Sequence, residues 1–366
     1  MMMNKLRKFL VVGLTLSISL SLTGCVDQHP DKKEPVKEEQ SSGETAHSLL
    51  EIKDEAEKKA VEEAGKMVAS MEGEPRIIAT SPSVANICDK LEIDLVGVCK
   101  SSISTMPERY KDLPIVGMAM SPDMEIVASL NPDWILSPDS LKTDLQPKYD
   151  AIGSEWGFLN LRSVPGMYRS IQELGEIFGR EEQAQALVDE FVEFYDEYQK
   201  KNEGKERPKV MILMGLPGSY IIATENSCVG SLVEMAGGDN VYAGTNQEFL
   251  TVNTEDMKTK EPDIILRAAH ALPDQVVEMF KKDFEENDIW KHFEAVKNGR
   301  VYDLTYEHFG MSAGFDYPLA LEELQPILFP ENEEDQQKAK ENSENAQKEA
   351  LDSEATKKTD VSNIKK

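Results

Sequence analysis

Few residues in this chain of 366 have side chains that could support metal or acid–base chemistry. Among the five histidines, His29 and His47 lie in a polar N-terminal segment, and His292 lies in a helical pattern. His270 ends a predicted strand, and His308 follows the last predicted strand. No GxSxG or Cys/His nucleophile signature is present, and no carboxylate pair stands out, which disfavours hydrolysis. Two well-placed histidines are too few for a zinc or manganese site.

Met120 and His270 remain as a candidate pair of ligands. Met120 precedes a predicted helix in the first half of the chain, and His270 ends a predicted strand in the second half. A thioether with an imidazole is an unusual pair for a bare divalent ion, but it is a standard axial pair for haem iron. Methionine more often fills a core, so spacing alone leaves a structural role open for both residues.

Two helical patterns between residues 167 and 202 separate these candidates. From Glu181 onward, apolar residues recur at the i, i+3, i+4 spacing of an amphipathic helix. The preceding run has the same spacing, and Gly179 between the two predicts a helix C-terminus. Short β-rich runs alternate with helical runs on both sides. The pattern therefore predicts an α/β fold of two Rossmann-like lobes with mostly parallel sheets, joined by one long helix, with a ligand in the cleft between them.

Three Ser-Pro pairs in the first half each follow a predicted strand. They are Ser81-Pro82, Ser121-Pro122 and Ser137-Pro138. Serine as N-cap with proline at the first helical position predicts a helix start at each. In a parallel sheet these starts lie at the carboxyl edge, where their N–H groups can meet an anionic group. Each pair, taken alone, is equally well explained as ordinary capping.

Charge and cysteine content exclude several classes. The formal net charge of −27 argues against nucleic-acid binding and offers no polybasic contact with anionic lipid. In the second half, residues 216–219 lack the lysine and the spacing of a P-loop. Cys88, Cys99 and Cys228 form no CxxC pair and predict neither a disulfide framework nor a zinc site. Buried free thiols are the favoured interpretation, and a bridge between Cys88 and Cys99 stays open.

The two ends of the chain differ from its middle. Lys5, Arg7 and Lys8 precede an apolar run over residues 9–20, a pattern typical of a secretion signal. The signal ends in LTGC at residues 22–25, which resembles the lipobox of bacterial lipoproteins and predicts lipidation of Cys25. Two acyl chains would anchor the protein stably at a membrane. Residues 26–43 predict a disordered tether, residues 48–71 a helix with little to bury, and residues 331–366 a solvated charged tail, at most a marginal helix.

Over residues 75–330 the chain resembles the substrate-binding lipoproteins of bacterial ABC importers that have a helical lobe linker. Within this class it is most similar to the haem-receptor lipoproteins of iron-regulated surface determinant systems in Gram-positive bacteria. The most specific stretches are PKVMILMGLPGSY at 208–220, EPDIILR at 261–267 and NDIWKHF at 287–293. The patterns at the two ends and the resemblance over the middle together predict a division of the chain into a signal peptide (1–24), lipidated cysteine, tether and possible helix (25–74), N-terminal lobe (75–168), interlobe helix region (169–204), C-terminal lobe (205–330) and charged low-complexity tail (331–366).

The resemblance also implies the roles of individual residues. In the family, haem iron is held by an axial methionine from the first lobe and an axial histidine from the second. Met120 and His270 stand at the matching positions, and Met118 is a nearby competitor expected to point elsewhere on an extended segment. The family's contacts with the haem propionates match Pro82 and Ser83, and also Ser102 and Ile103. Ile103-Ser104 stands where the family can have Tyr-Lys, so backbone N–H contacts are expected there rather than a side-chain cation.

A monomeric, non-enzymatic protein on the outer face of the cell membrane is therefore expected. It would bind haem b as transported ligand and pass it to an ABC permease with its ATPase, after receiving it from cell-wall or surface haem-donor proteins. Because protonation of His270 would compete with iron, affinity is expected to fall below about pH 6.

Three alternatives remain. The first is the same architecture binding a ferric siderophore or cobalamin. The second is a haem- or metal-dependent surface enzyme, which an open coordination position on the iron would favour. An adhesive or scaffolding lipoprotein would work through the acidic tail.

Overall fold

The computed structural model describes residues 46–101 and 106–364, and its first sheet belongs to the N-terminal lobe. The strands are β1 (Ile77–Ala79), β2 (Gly97–Lys100), β3 (Ile115–Met118), β4 (Ser121–Pro122), β5 (Trp134–Pro138) and β6 (Glu155–Leu159). Their order is β4-β3-β2-β1-β5-β6, and all neighbours are parallel except β3 and β4. The carboxyl ends of five parallel strands therefore share one edge of this sheet.

A second sheet forms the C-terminal lobe. Its strands are β7 (Lys209–Leu216), β8 (Ser219–Ala223), β9 (Asp239–Asn240), β10 (Phe249–Leu250), β11 (Ile264–Ala269) and β12 (Val301–Asp303). The order is β10-β8-β7-β11-β12, with β9 also paired to β7. Strands β7, β9, β11 and β12 are parallel, whereas β8 and β10 run antiparallel to their neighbours. Strand β12 is thus an edge strand of this sheet.

Helices cover both sheets and connect them. They are α1 (Ala46–Leu49), α2 (Glu55–Ala69), α3 (Pro82–Lys90), α4 (Met124–Ser129), α5 (Lys142–Ile152), α6 (Val164–Phe178), α7 (Glu181–Asn202), α8 (Cys228–Ala236), α9 (Thr254–Thr259), α10 (Pro273–Glu286), α11 (Glu294–Lys297), α12 (Tyr317–Leu328) and α13 (Glu333–Ile364). Each lobe therefore has the strand–helix alternation that the sequence predicts.

The lobes are joined by α6 and α7, which meet at a left-handed Gly179 with φ of 66°. Glycine adopts this conformation without the steric penalty of a Cβ, so the turn between the helices is sharp. Helix α7 reaches both lobes: Gln183 donates to Glu92 in the first, and the Tyr198 hydroxyl donates to the Leu321 carbonyl in the second, at 3.3 and 3.1 Å. The predicted fold class is confirmed, with two consecutive helices forming the connection.

Only the first of the three Ser-Pro pairs caps a helix. Ser81 is the N-cap of α3, and its hydroxyl accepts from the Val84 N–H at 3.2 Å. Ser121-Pro122 instead forms β4 at the edge of the sheet, where proline's missing N–H costs no ladder bond. Ser137 and Pro138 are the last residues of β5 and precede a 3₁₀ turn. The two serines are therefore not helix N-caps as predicted, although helical turns do follow both pairs. Helix α4 begins at Met124 with Asp123 as its N-cap, and a 3₁₀ turn over Asp139–Leu141 leads into α5.

The N-terminal arm, α1 and α2, buries more than the sequence suggests. Ala60, Val61 and Ala64 of α2 are buried, and the helix packs against α6. Arg169 and Gln172 of α6 donate to the carbonyls of Leu49 and Leu50 at 2.6 and 3.1 Å. The arm is thus attached to the linker by both apolar contacts and hydrogen bonds.

The charged C-terminal segment also departs from expectation, because it forms the 32-residue helix α13 and docks on the second lobe. Within residues 333–351, whose side chains the structure describes, the buried positions are Ala339, Ser343, Ala346 and Ala350. Ser343 Oγ accepts from the backbone N–H of Asp303 at 2.8 Å, and Gln347 donates to the Asp303 carboxylate at 2.5 Å. Helix α13 therefore covers the β12 edge of the second sheet.

The cysteines in the described part of the chain are buried and unreactive. Cys88, Cys99 and Cys228 are free and buried, so the bridge between Cys88 and Cys99 is not formed. Burial raises the pKa of Cys88 and Cys228 to about 12 and that of Cys99 to about 11, which keeps these thiols protonated and unreactive. No helix in residues 46–101 and 106–364 has the length and apolar character needed to cross a membrane.

Candidate functional site

Met120 lies at the tip of the hairpin between β3 and β4. Met118 pairs with Ser121, which leaves Ala119 and Met120 as the two connecting residues. The backbone enters this hairpin through Gly117, whose φ of +100° is strained for other residues. A Cβ added at this position would lie 3.0 Å from the backbone nitrogen of Asp123. The glycine thus allows the tight approach that puts Met120 at the tip.

The Met120 side chain is available for a ligand. It is 76% exposed, compared with 48% for Met118, whereas a core-filling methionine would be buried. The two residues belong to a strand end and a turn rather than to one extended segment, so strand alternation does not separate them. Met120 is favoured over Met118 because it lies at the hairpin tip and its side chain is the more exposed of the two.

His270 directly follows β11 at the carboxyl end of the second sheet. Its N–H donates to the Gly215 carbonyl at 3.0 Å, which continues the register of β11 on β7, and its carbonyl accepts from the Tyr306 hydroxyl at 3.4 Å. The residue is exposed overall, but neighbouring atoms partly desolvate the imidazole and lower its pKa below the ordinary value of 6.5. At neutral pH the ring is uncharged and can act as a metal ligand.

Exposed apolar side chains accompany both candidate ligands. The large ones among the described residues are Ile115, Met118, Met120, Ile126, Leu272, Met311, Leu319 and Leu351. Half of them lie in the segment that carries Met120. Leu272 lies two residues after His270, in a left-handed conformation with φ of 47°. Such surfaces favour contact with an apolar ligand rather than a free ion.

A buried hydroxyl network underlies the carboxyl edge of the first sheet. Thr80 Oγ1 lies 2.6 Å from Ser137 Oγ, which lies 2.9 Å from the Tyr149 hydroxyl. The network ties the end of β1 to β5 and α5 and fixes the loop that carries Ser81. No local pattern predicts this network, because its members are far apart in the chain and follow no motif.

The other predicted site residues are only partly described. Pro82 and Ser83 occupy the first turn of α3, where proline has no N–H and Ser81 already accepts from Val84. The cap therefore does not use the Ser83 N–H. Ser102 and Ile103 lie outside the described residues, as does Cys25.

Two other histidines, both in the second lobe, are occupied or peripheral. His308 Nδ1 lies 3.1 Å from the Glu323 carboxylate, which raises the pKa of the imidazole and gives it a structural partner. His292 is exposed in a short 3₁₀ helix of the second lobe. No cluster of three or more His, Cys, Asp or Glu residues in the described ranges could hold a bare metal ion.

Comparisons with known proteins agree with this architecture. The model of the Periplasmic binding protein family matches residues 77–307. The high-affinity heme uptake system protein IsdE of Staphylococcus aureus (strain Newman) is 41% identical over 258 residues, covering 70% of this chain and 88% of that protein. The crystal structure of S. aureus IsdE complexed with heme has a TM-score of 0.66 at 41% identity, covering 70% of this chain and 100% of that chain.

An ABC transporter substrate-binding protein from Listeria monocytogenes EGD-e is similar to the same extent. Its crystal structure has a TM-score of 0.67 at 44% identity, covering 70% of this chain and 99% of that chain. With two α/β lobes, a helical linker and these matches, the chain belongs to the periplasmic binding protein family.

Proposed function

We propose that this chain is a membrane-anchored extracellular haem-binding protein that delivers haem to an ABC permease for iron acquisition. The observation that carries the proposal is the solvent exposure of the Met120 thioether at a hairpin tip, where it fills no core. The proposal is supported by the identity to a heme uptake protein and by the fold shared with its heme complex.

The chemistry of the two side chains suits haem iron. Met120 would supply a soft thioether from the first lobe, and His270 a neutral imidazole from the second. Together they would fill both axial positions and give six-coordinate, low-spin iron. Exposed apolar side chains beside each ligand would contact the porphyrin faces. With both axial positions taken by protein, we expect no catalytic turnover.

The propionates would be bound by the first lobe. Ser83 at the start of α3 offers a backbone N–H and the positive end of the helix dipole, and Pro82 contributes the preorganised first turn. Ser102 and Ile103 complete the proposed set through backbone N–H groups. These contacts would fix the orientation of haem about the axis defined by Met120 and His270.

The cellular setting is proposed from the N-terminal pattern. Cleavage after residue 24 and lipidation of Cys25 would place the protein on the outer face of the cell membrane. From there it would receive haem from cell-wall or surface donor proteins and pass it, as a monomer, to the permease and its ATPase.

Titration with haemin tests the function. We expect the full-length protein, purified in detergent, to bind haemin saturably at one equivalent and to give a low-spin spectrum. The competing ligands are a ferric siderophore and cobalamin, offered at the same concentrations. Saturable binding of either one, with only weak unsaturable haemin association, would contradict the proposal and assign the cleft to that ligand.

Acidification is expected to weaken haem binding through His270. Its pKa lies below the ordinary value of 6.5, so the neutral ligand persists at neutral pH and is lost only as the pH falls through that lowered pKa. The low-spin spectrum, followed from neutral pH downward, should therefore change below pH 6.5. A His308→Gln variant should keep this transition, because His308 is paired with Glu323. A transition centred above pH 6.5 would exclude His270 as its source.

A further inference from the structure

Arg162 bridges the two lobes. It lies in the short segment between β6 and α6, and its Nε is 3.1 Å from the Asp139 carboxylate of the first lobe. The same Nε is 3.1 Å from the Glu248 carboxylate, which directly precedes β10 of the second lobe. One guanidinium thus contacts an acidic group from each lobe.

The backbone around Arg162 holds it in this position. Asp139 follows β5 and Arg162 follows β6, and these neighbouring parallel strands end side by side. Asn160 Oδ1 accepts from the Arg162 N–H at 3.2 Å, and the Leu161 carbonyl accepts from Ala313 of the second lobe at 2.8 Å. The contact between lobes at this point therefore includes backbone as well as side chains.

Glu248, in the second lobe, is also held by a backbone hydrogen bond. Its carbonyl accepts from the Thr224 N–H at 3.0 Å, which fixes it beside the end of β8. Because Asp139 directly follows β5 and Glu248 is hydrogen-bonded beside β8, a change in lobe orientation would alter the distance between the two residues.

The charge balance makes the arginine necessary for this arrangement. Sharing one nitrogen at 3.1 Å, the two carboxylates are held within about 6 Å of each other. They are partly buried, with 24% of the Asp139 side chain and 27% of the Glu248 side chain exposed. Burial raises the pKa of both carboxyls and Arg162 opposes that rise, while Lys142 adds positive charge near Asp139. Without the guanidinium, the two carboxylates would repel each other across the lobes.

We propose that Arg162 is a positioning residue of the interlobe cleft. By neutralising Asp139 and Glu248 together, it holds the lobes in the arrangement in which Met120 of one and His270 of the other can reach the same iron atom. The second part of this proposal rests on the proposed haem-binding function, whereas the lobe arrangement itself does not depend on it.

Lobe distance in the ligand-free protein is the decisive measurement. Spin labels on Glu125→Cys in α4 and Glu278→Cys in α10 report the separation by pulsed electron paramagnetic resonance, in full-length chain carrying Cys25→Ser. The native thiols at Cys88, Cys99 and Cys228 are buried and should stay unlabelled. We expect Arg162→Gln to shift the distances outward or broaden them, and Arg162→Lys to keep the wild-type distribution.

Haem binding separates this role from direct ligation. Arg162→Gln should weaken haemin affinity by about tenfold while the saturated spectrum stays low-spin, since both axial ligands remain. Glu248→Gln should have a smaller effect, because it removes an attraction without leaving a repulsive pair. Arg207→Gln is the matched control, since Arg207 pairs with Asp239 within the second lobe.

Each outcome decides the proposal. Unchanged distances in Arg162→Gln would overturn it, even if haem affinity fell. If Arg162→Gln does not fold, Glu248→Gln takes its place, because it removes the second-lobe charge of the same contact. Longer or broader distances in Glu248→Gln would then support the proposal, and wild-type distances would overturn it. Failure of the wild-type protein to bind haemin would instead contradict the proposed function and leave the distance measurement valid.

Discussion

Replacing His270 by alanine is expected to convert the haem-saturated protein from a low-spin to a high-spin spectrum. The imidazole is the stronger of the two proposed ligands, so affinity for haemin should fall by at least about a hundredfold. Met120→Ala should give the same spectral change with a smaller loss of affinity, because a thioether binds iron more weakly. Absorption spectra during haemin titration measure both effects.

Matched controls distinguish ligation from surface changes. His292→Ala removes another exposed imidazole of the second lobe, and Met118→Ala removes the other exposed thioether of the same hairpin. Both should leave the low-spin spectrum unchanged. His292→Ala should also keep the affinity, whereas Met118→Ala should lower it only slightly, because it removes an apolar contact and no iron ligand. If Met118→Ala alone produced the high-spin spectrum, the first-lobe ligand would be Met118 and the proposed pair would be wrong.

Replacing Asp303 by alanine is expected to lower the free energy of unfolding by about 3–5 kcal/mol. Asp303 forms an ion pair with Arg267 in which only 6% and 11% of the respective side chains are exposed. Its removal leaves a buried guanidinium without its counter-charge, and Gln347 of α13 also loses its acceptor. Chemical denaturation followed by circular dichroism measures the change.

The control for Asp303 is an ion pair at the surface of the same lobe. Asp239→Ala breaks the contact with Arg207, in which 56% and 44% of the side chains are exposed, and should cost about 0–1 kcal/mol. Equal effects of the two substitutions would show that burial of the Arg267–Asp303 pair adds nothing. A large effect confined to Asp303 would support the buried ion pair with Arg267 as the source of this stability.

Local sequence patterns predicted the elements whose signals are local. The α6–α7 boundary follows from helical spacing and Gly179, and the structure has a left-handed turn there. The lipid-anchor pattern falls outside the described residues and stays a prediction. Two of the three Ser-Pro pairs belong to strands and not to helices, because serine and proline suit a sheet edge or a strand end as well as a helix start. Pairing with a neighbouring strand, which the local sequence does not show, decided between strand and helix at these positions.

Features that depend on distant partners could not be predicted in this way. Over residues 333–351, whose side chains the structure describes, helix α13 buries only alanine and serine, so its docked face has almost no hydrophobic period to detect. The contact of Arg162 with Asp139 and Glu248 joins three segments that no motif connects. Residue type alone could select Met120 and His270 as candidate ligands. That Met120 is exposed at a hairpin tip and His270 at a strand end became clear only from the structure.

The docking of α2 on α6 determines where a tether would pull. With the predicted lipid on Cys25, the chain up to Ala46 could reach at most about 70 Å from the membrane. Any tension in that segment would enter the protein through the arm and the linker rather than through a lobe. A pull on the anchor would therefore act on α2 and α6 and not directly on either sheet, and either lobe surface could turn toward the bilayer.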